Sequence, residues 1–420
     1  MARLAAAIGS GITRVTDRAL GPYQSAVIRI GFSATWLLFL LREFPHRREL
    51  YGPDGPWSWE LAQQLIAAND AFTVLMWSDS VVWFEIVYAV AVLSSLLLLI
   101  GWRTRAMSVL FMVGVLSLQN RSVFMGDGGD NVIHLMAIYL VFVRCAQVWS
   151  LDARRAGRTR ERRARDGSAP EDRSGPLLWC VLGFALLVAT FGGLIPGGEL
   201  VPGGWLTFFW GLWVVHALWW AAGRIESNVK PRVLLDIVGN LAHNAALVVI
   251  MAEACLIYAA AGWYKIQGSR WQDGTAAYYP LHLDYFSPWA ALSDLMSSSG
   301  TMVMLMTYGT VIVQVAFPFT LFNRRVKNVL LAVMMTEHAV IAVVLGLPFF
   351  SLAMIAADAV FLPTTFLKHL GGLVARARDR VVRRVPPGRG RTLPGPREQR
   401  RPPLPKEPEA SEQAHVGFTA

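Results

Sequence analysis

The chain has 420 residues, 54% of them hydrophobic and only 16% charged, against about 25% charged in soluble globular proteins. With 16 Trp, 21 Phe and 3 Cys, this excludes a disordered chain, a collagen, a coiled coil and a disulfide-rich secreted domain, and favours an integral membrane protein. The net charge of +10 does not point to nucleic acid: residues 151–176 carry +3, from eight Arg and five acids, and residues 371–420 carry +6, from ten Arg, Lys406 and five acids.

Taken in chain order, residues 1–22 are a short basic amphipathic stretch without a signal-peptide apolar region and cleavage site. They are expected to lie in the cytoplasm or at the membrane interface. A membrane-crossing helix needs about 20 mostly apolar residues. Candidate spans fall at 23–41, 81–101, 106–122, 131–149, 177–195, 205–222, 238–263, 301–322, 328–346 and 349–369. The expected fold class is therefore all-α, a polytopic bundle of about eight to ten transmembrane helices. Basic residues recur after every second span, at Arg103 and Arg105, Arg154–Arg173, Arg224 to Arg232, Arg324 to Lys327, and in the tail. The positive-inside rule places these, and both termini, in the cytoplasm of a multi-pass plasma-membrane protein. The outer side then receives residues 42–80, 123–130, 196–204, 264–300 and 347–348. The organisation expected is four helices over 23–149, a flexible basic linker over 150–176, six helices over 177–370 and a tail over 371–420. That tail has eight Pro in its last 35 residues and reads as disordered.

Ionisable groups in apolar runs are costly and are functional candidates by default. Here they are Arg29, Glu85, His134, Glu253, Glu337, His338 and Asp358, with His216 and His243 less telling. Arg29 either pairs with a bundle-facing carboxylate such as Glu85 or Asp358, or contacts a ligand. His216 fits a helix–helix hydrogen bond. Glu337 and His338 are adjacent, face about 100° apart on a helix, and cannot act as one pair without a third partner. Cys145, Cys180 and Cys255 lie in apolar segments without paired spacing, and read as buried small hydrophobes rather than a disulfide or zinc site.

Of the five lysines only Lys265 falls on the expected outer side, at the end of EACLIYAAAGWYKI. It is either an anchor that snorkels to the interface or a partly desolvated amine able to act as a general base. The stretch GDGGDNVIHLMAIY opens the fourth span from the same side, placing Asp127, Asp130, Asn131 and His134 near the depth of Lys265. Its glycines allow close backbone approach, and Asp130 or Asn131 would cap the helix. A phosphate-binding loop, a dinucleotide fingerprint, a zinc-protease motif and a His/Cys metal cluster are all absent from the sequence. Nor is there a matched pair of Gly/Pro-broken helices pointing to a transporter.

The run LIYAAAGWYKIQGSRWQDGTAAYY, residues 256–279, resembles the signature of the HTTM domain, the multi-helix membrane domain of vitamin K-dependent γ-glutamyl carboxylase and many bacterial homologues. EHAVIAVVLGLPFFSLAMIAADAVFLP (337–363) resembles that domain's later helix pair, and DGGDNVIHLMAIYL (127–140) its earlier Asn/His helix. The resemblance covers about residues 20–370. It implies that Lys265 is the base that deprotonates a reduced quinone of the menaquinone or phylloquinone type, with O2 and CO2 as co-substrates, and that a histidine assisting the later steps falls near His134. Quinone or substrate contacts are expected from Arg29, Asn131, Trp271, Asp273, Gly274 and Tyr278; Asp130, Glu85, His338 and Asp358 are expected as structural polar groups, and no metal is expected. Two functions follow: a quinol- and O2-dependent enzyme acting on a peptide, or a non-enzymatic membrane partner in maturation or export of a secreted peptide or protein. The partners expected are the lipid bilayer and that peptide, not nucleic acid.

Overall fold

The computed structural model describes residues 2–53, 55–167, 172–195, 204–222 and 230–384. Among these residues every regular element is helical. Two compact units are distinguished, residues 1–369 and 370–420. The main helices are α1 (Ala2–Asp17), α2 (Pro22–Glu43), α3 (Trp59–Asn69), α4 (Val81–Ile100), α5 (Thr104–Arg121), α6 (Gly128–Leu140), α7 (Leu151–Asp166), α8 (Ser174–Phe191), α9 (Gly204–Ala222), α10 (Lys230–Gln267), α11 (Gly300–Ala316), α12 (Arg324–Val344), α13 (Pro348–Asp358) and α14 (Thr364–Arg384).

Among the described residues seven helical segments are long and apolar enough to cross a membrane, Pro22–Tyr51, Val81–Ile100, Ser174–Phe191, Gly204–Ala222, Lys230–Gln267, Gly300–Thr320 and Arg324–Val344, and the bent pair Pro348–Phe361 with Thr364–Arg380 makes an eighth if it crosses as one span. Five expectations from the sequence need correction, the first being the span over 106–122, where α5 (Thr104–Arg121) is not among the segments apolar enough to cross. The span expected over 131–149 is helical only to Leu140. Its 13 residues reach about 20 Å at 1.5 Å per residue, short of a ~30 Å hydrocarbon core. Beyond Leu140 the chain turns because tertiary bonds hold it: Arg29 takes the carbonyls of Cys145 and Trp149, and Trp149 adopts φ 53°. The span expected over 349–369 is broken, with Leu362 extended before Pro363, as the clash of a proline ring with the preceding residue requires. The segment 150–176 is not a flexible linker throughout. Ser150 caps α7 by accepting from the Ala153 amide at 2.9 Å, and Gly167 closes α7 with φ 65°. The tail is helical as far as Arg384, while residues 385–420 lie outside those described.

The core gathers α2 between α4 and α13, with α5 and α6 packed alongside. Small residues set the closest approaches. A Cβ on Gly31 would lie 2.6 Å from Ala356 Cβ, and one on Gly129 2.6 Å from Phe350 Cα. The N-terminal helix is held by a polar clamp on α10. Asn240 and Asn244 donate to the carbonyls of Thr16, Val15 and Arg18 at 2.8–3.0 Å, closing the free C-terminal end of α1. His243 accepts from the Arg144 amide at Nδ1 (2.9 Å) and donates from Nε2 to Leu20 O (2.7 Å), which fixes a neutral tautomer. All three cysteines are free. Cys145 is buried as expected and Cys255 is half-buried, but Cys180 is exposed on α8.

Candidate functional site

Several polar groups of the apolar helices, Tyr258, Lys265, Gln314, Glu337, His338 and Asp358, gather on a seam between α10, α11, α12 and α13. Tyr258 and Lys265 are seven residues apart on α10, so they share one face of a 3.6-residue helix. The helix ends just beyond Lys265, where Gly268 N–H closes on Lys265 O at 3.0 Å. Lys265 Nζ donates to Gln314 Oε1 of α11 at 2.6 Å, and Gln314 Nε2 donates to Glu337 Oε1 of α12 at 3.0 Å. No carboxylate lies within ion-pair distance of Lys265 among the described residues. The face of Trp271 lies 5.2 Å from Nζ, a cation–π distance.

On the neighbouring position of α12, His338 points elsewhere. Its Nε2 lies 3.0 Å from the Tyr258 hydroxyl, which in turn lies 3.0 Å from Asp358 Oδ2. These three side chains are 2%, 1% and 0% exposed. His338 Nδ1, Asp358 Oδ1 and the hydroxyl of Ser351 are buried with no partner, so the cluster keeps unspent hydrogen-bonding capacity. A phenol between an imidazole and a carboxyl has two proton arrangements. Either His338 donates to the phenol and the phenol to Asp358, or a protonated Asp358 donates to the phenol and the phenol to His338. Glu337 and His338 thus belong to two adjoining chains of hydrogen bonds, one leading to Lys265 and one to Asp358.

Arg29 takes neither expected role. Its buried guanidinium donates to the carbonyls of Leu98, Leu99, Trp149 and Cys145 at 2.5–3.3 Å, tying the C-terminal end of α4 to the turn after α6. Glu85 is held instead by Arg47, bidentate at 3.0 and 3.1 Å, and by Arg48 at 2.6 Å. Asp358 is held by Tyr258.

His134 belongs to a separate cavity of about 150 Å³, lined by Tyr51, Gln119, Asn120, Asp130 and Asn131 among others, with Lys265 not part of the lining. The helix cap also differs from expectation. Asp127, not Asp130 or Asn131, is the N-cap of α6, and Asp130 returns a bond to the Asp127 amide at 2.8 Å, a reciprocal capping box.

In the segment after α10, Gly274 adopts φ +77° and packs on Tyr308. Asp273 accepts from the Thr275 hydroxyl and amide at 2.5 and 3.0 Å, and the Thr275 hydroxyl holds its carboxyl below the usual range. Tyr278 stacks on His282 at 3.9 Å. Of the side chains expected to contact a quinone, Trp271 alone faces the Lys265 amine. Gln314 and Tyr258, which organise the seam, were not singled out from the sequence. The signal available was a lone glutamine in an apolar run and a tyrosine two turns before Lys265. No family model matches the chain, and neither a curated protein nor a solved structure does.

Proposed function

We propose that the chain is an integral membrane protein of the HTTM type, in which Lys265 acts as a general base on a reduced naphthoquinone. The observation that carries this reading is the relay Lys265–Gln314–Glu337. An ammonium meant only for charge pairing would be expected against a carboxylate. This amine instead has a neutral carboxamide as its first partner, which can accept an N–H from both the neutral and the protonated form. The donor set therefore fits a group that must gain and lose a proton. When bound, a menaquinone- or phylloquinone-type quinol, with O2 and CO2 as co-substrates, would supply the oxidative and carboxylating chemistry.

The chain's own residues have three tasks. Lys265 Nζ receives a hydroxyl proton. Gln314 keeps Nζ in place and passes the influence of the Glu337 carboxylate, so that the new positive charge is balanced without a direct ion pair. Trp271 flanks the ammonium with its ring face, which favours the protonated product. The surrounding apolar helices exclude water and keep the amine from being levelled by solvent.

The test supplies wild-type and Lys265→Ala membranes with reduced naphthoquinone and O2 and measures quinone epoxide. Abolished formation in the variant is expected, and formation at the wild-type rate rejects the mechanism. A second reading, a membrane partner for a secreted peptide or protein, is favoured by the exposure of Tyr285 (85%), Trp289 (61%) and Leu283 (51%) in the segment after α10. An exported protein that co-purifies with the Lys265→Ala chain, but not after replacement of residues 275–290, would decide for it.

A further inference from the structure

The cavity at the start of α6 has a lining rich in uncommitted acceptors, one of them a carboxylate oxygen. Asn120 Nδ2 donates to Phe72 O at 2.9 Å, which leaves its carbonyl oxygen uncommitted. Gln119 Nε2 donates to Asp130 O at 3.0 Å, so its Oε1 must be the acceptor for His134 Nδ1, also at 3.0 Å. His134 therefore carries its proton on Nδ1 and keeps a bare lone pair on Nε2. Asp130 uses Oδ2 on the Asp127 amide and has Oδ1 free. The amides at the helix start are consumed by the capping box, so the N-terminus offers no anion site there.

Tyr51 supplies an independent observation. It is only 4% exposed and lines the cavity, yet its hydroxyl makes no hydrogen bond to any described residue. That oxygen is not among the fully enclosed atoms without a partner, and it is available to a ligand or water in the cavity. Asn131 and the Tyr51 hydroxyl can turn either way, but the fixed atoms (Asp130 Oδ1, Asn120 Oδ1 and His134 Nε2) are all acceptors. The nearest further charges are Asp127 and the mutually paired Arg42 and Glu43, so the carboxylates are not outweighed.

We propose that this cavity binds a small organic cation bearing N–H donors, the ammonium or guanidinium head of an amine. A cation whose N–H groups meet several acceptors gains charge-assisted hydrogen bonds, whereas an anion would face the Asp130 carboxylate and the lone pairs of Asn120 and His134. The site shares no lining residue with the Lys265 seam and does not depend on the quinone reading. The head group could come from a free small amine or from a lysine or arginine side chain of a peptide.

The full chain in detergent would be titrated with methylammonium and with guanidinium, followed by calorimetry and saturation-transfer NMR. Tetramethylammonium, which has the same charge and no N–H, serves as the matched control. Saturable binding of methylammonium or guanidinium, at least tenfold tighter than tetramethylammonium, is expected. Asp130→Asn should weaken it by tenfold or more. Tyr51→Phe, which removes one oxygen and breaks no bond within the protein, should weaken it about threefold to tenfold, the range of one hydrogen bond. Should Asp130→Asn unfold through loss of its cap, Tyr51→Phe decides. A capped peptide with one lysine that displaces methylammonium identifies a side chain as the source; binding of the free amine alone identifies a small molecule. The proposal is overturned if neither probe saturates, if tetramethylammonium binds equally well, or if Tyr51→Phe binds as wild type.

Discussion

Four backbone carbonyls, two of them at the C-terminal end of α4, meet the Arg29 guanidinium. The end of a helix carries unpaired carbonyls and the negative pole of its dipole, so a cation with a fork of donors is suited to that place. This resolves the question the sequence left open for Arg29, since its partners are carbonyls that carry no signature in the residue string. Replacing Arg29 with Met should destabilise the protein by about 2 kcal/mol or more, because the carbonyls of Cys145, Leu99 and Trp149 lose this partner while Leu98 O keeps the Gly101 amide, at roughly 1–3 kcal/mol for each group left unpaired. Arg29→Lys should cost less, since one ammonium still reaches part of the set. Reversible unfolding in detergent measures both, and losses of less than about 0.5 kcal/mol for both variants would be those of an ordinary surface site. At the same scale, Lys265, His338 and Asp358 were legible because charge in an apolar run is rare. Gln314, Tyr258 and Tyr51 were not, because neutral polar residues are common in helices and only their partners distinguish them.

At the scale of elements, long apolar runs such as 81–101 and 205–222 translate directly into α4 and α9, since no tertiary contact is needed to satisfy their backbone. The helix ends depend on contacts from far away in sequence, which is why α6 stops at Leu140 and why the segment after Ser150 is helical. The start of α5 shows the same dependence. Asp152 of α7 accepts from the amides of Arg103 and Thr104 at 3.0 and 2.9 Å. Arg103, itself at φ 47°, reaches Asp172 just before α8, with Nη1 2.6 Å from Oδ2. Its guanidinium holds the Asp172 carboxyl down to about 2. A carboxyl depressed in the folded state contributes stability that is full above the unfolded value near ~3.9 and is lost as pH falls through the folded one. Asp172 is 43% exposed, so screening limits the pair to below about 1 kcal/mol. Asp172→Asn should therefore lower the melting temperature slightly at neutral pH. The gap to wild type should close between about pH 4 and pH 2; a gap that persists unchanged at pH 2 would mean that the ion pair is not its origin.

For the whole molecule, the arrangement of helices across the membrane follows from how they are grouped. Between Arg18 and Arg103 lie two apolar crossings, α2 and α4. Between Arg173 and Lys230 lie α8 and α9, and between Arg232 and Arg324 lie α10 and α11. The two helices between Arg105 and Arg154, α5 and α6, are not among the segments long and apolar enough to cross, but they drop out together. Parity is therefore the same whether both cross or neither does, and every basic cluster up to Lys327 falls on one face, which the positive-inside rule would make cytoplasmic; the tail rejoins that face only if the bent pair of α13 and α14 crosses as one span after α12. The loss of the α5 and α6 crossings thus leaves the side expected for the basic clusters up to Lys327 unchanged, whereas the side of the tail is set by whether α13 and α14 cross together. The measurement is impermeant maleimide labelling of intact cells carrying single cysteines in a Cys-free background, at Tyr285, at Arg160 within α7 and at Lys406. Tyr285→Cys is expected to label from outside and Arg160→Cys only after the membrane is opened, while Lys406→Cys reports whether α13 and α14 cross as one span, labelling only after opening if they do and from outside if they do not. Outside labelling of Arg160→Cys would show that α5 and α6 do not enter or leave as a pair, and the parity argument would fail at that point. It would also place the α5–α7 junction, and with it the Arg103–Asp172 contact, on the same side as the segment that follows Lys265.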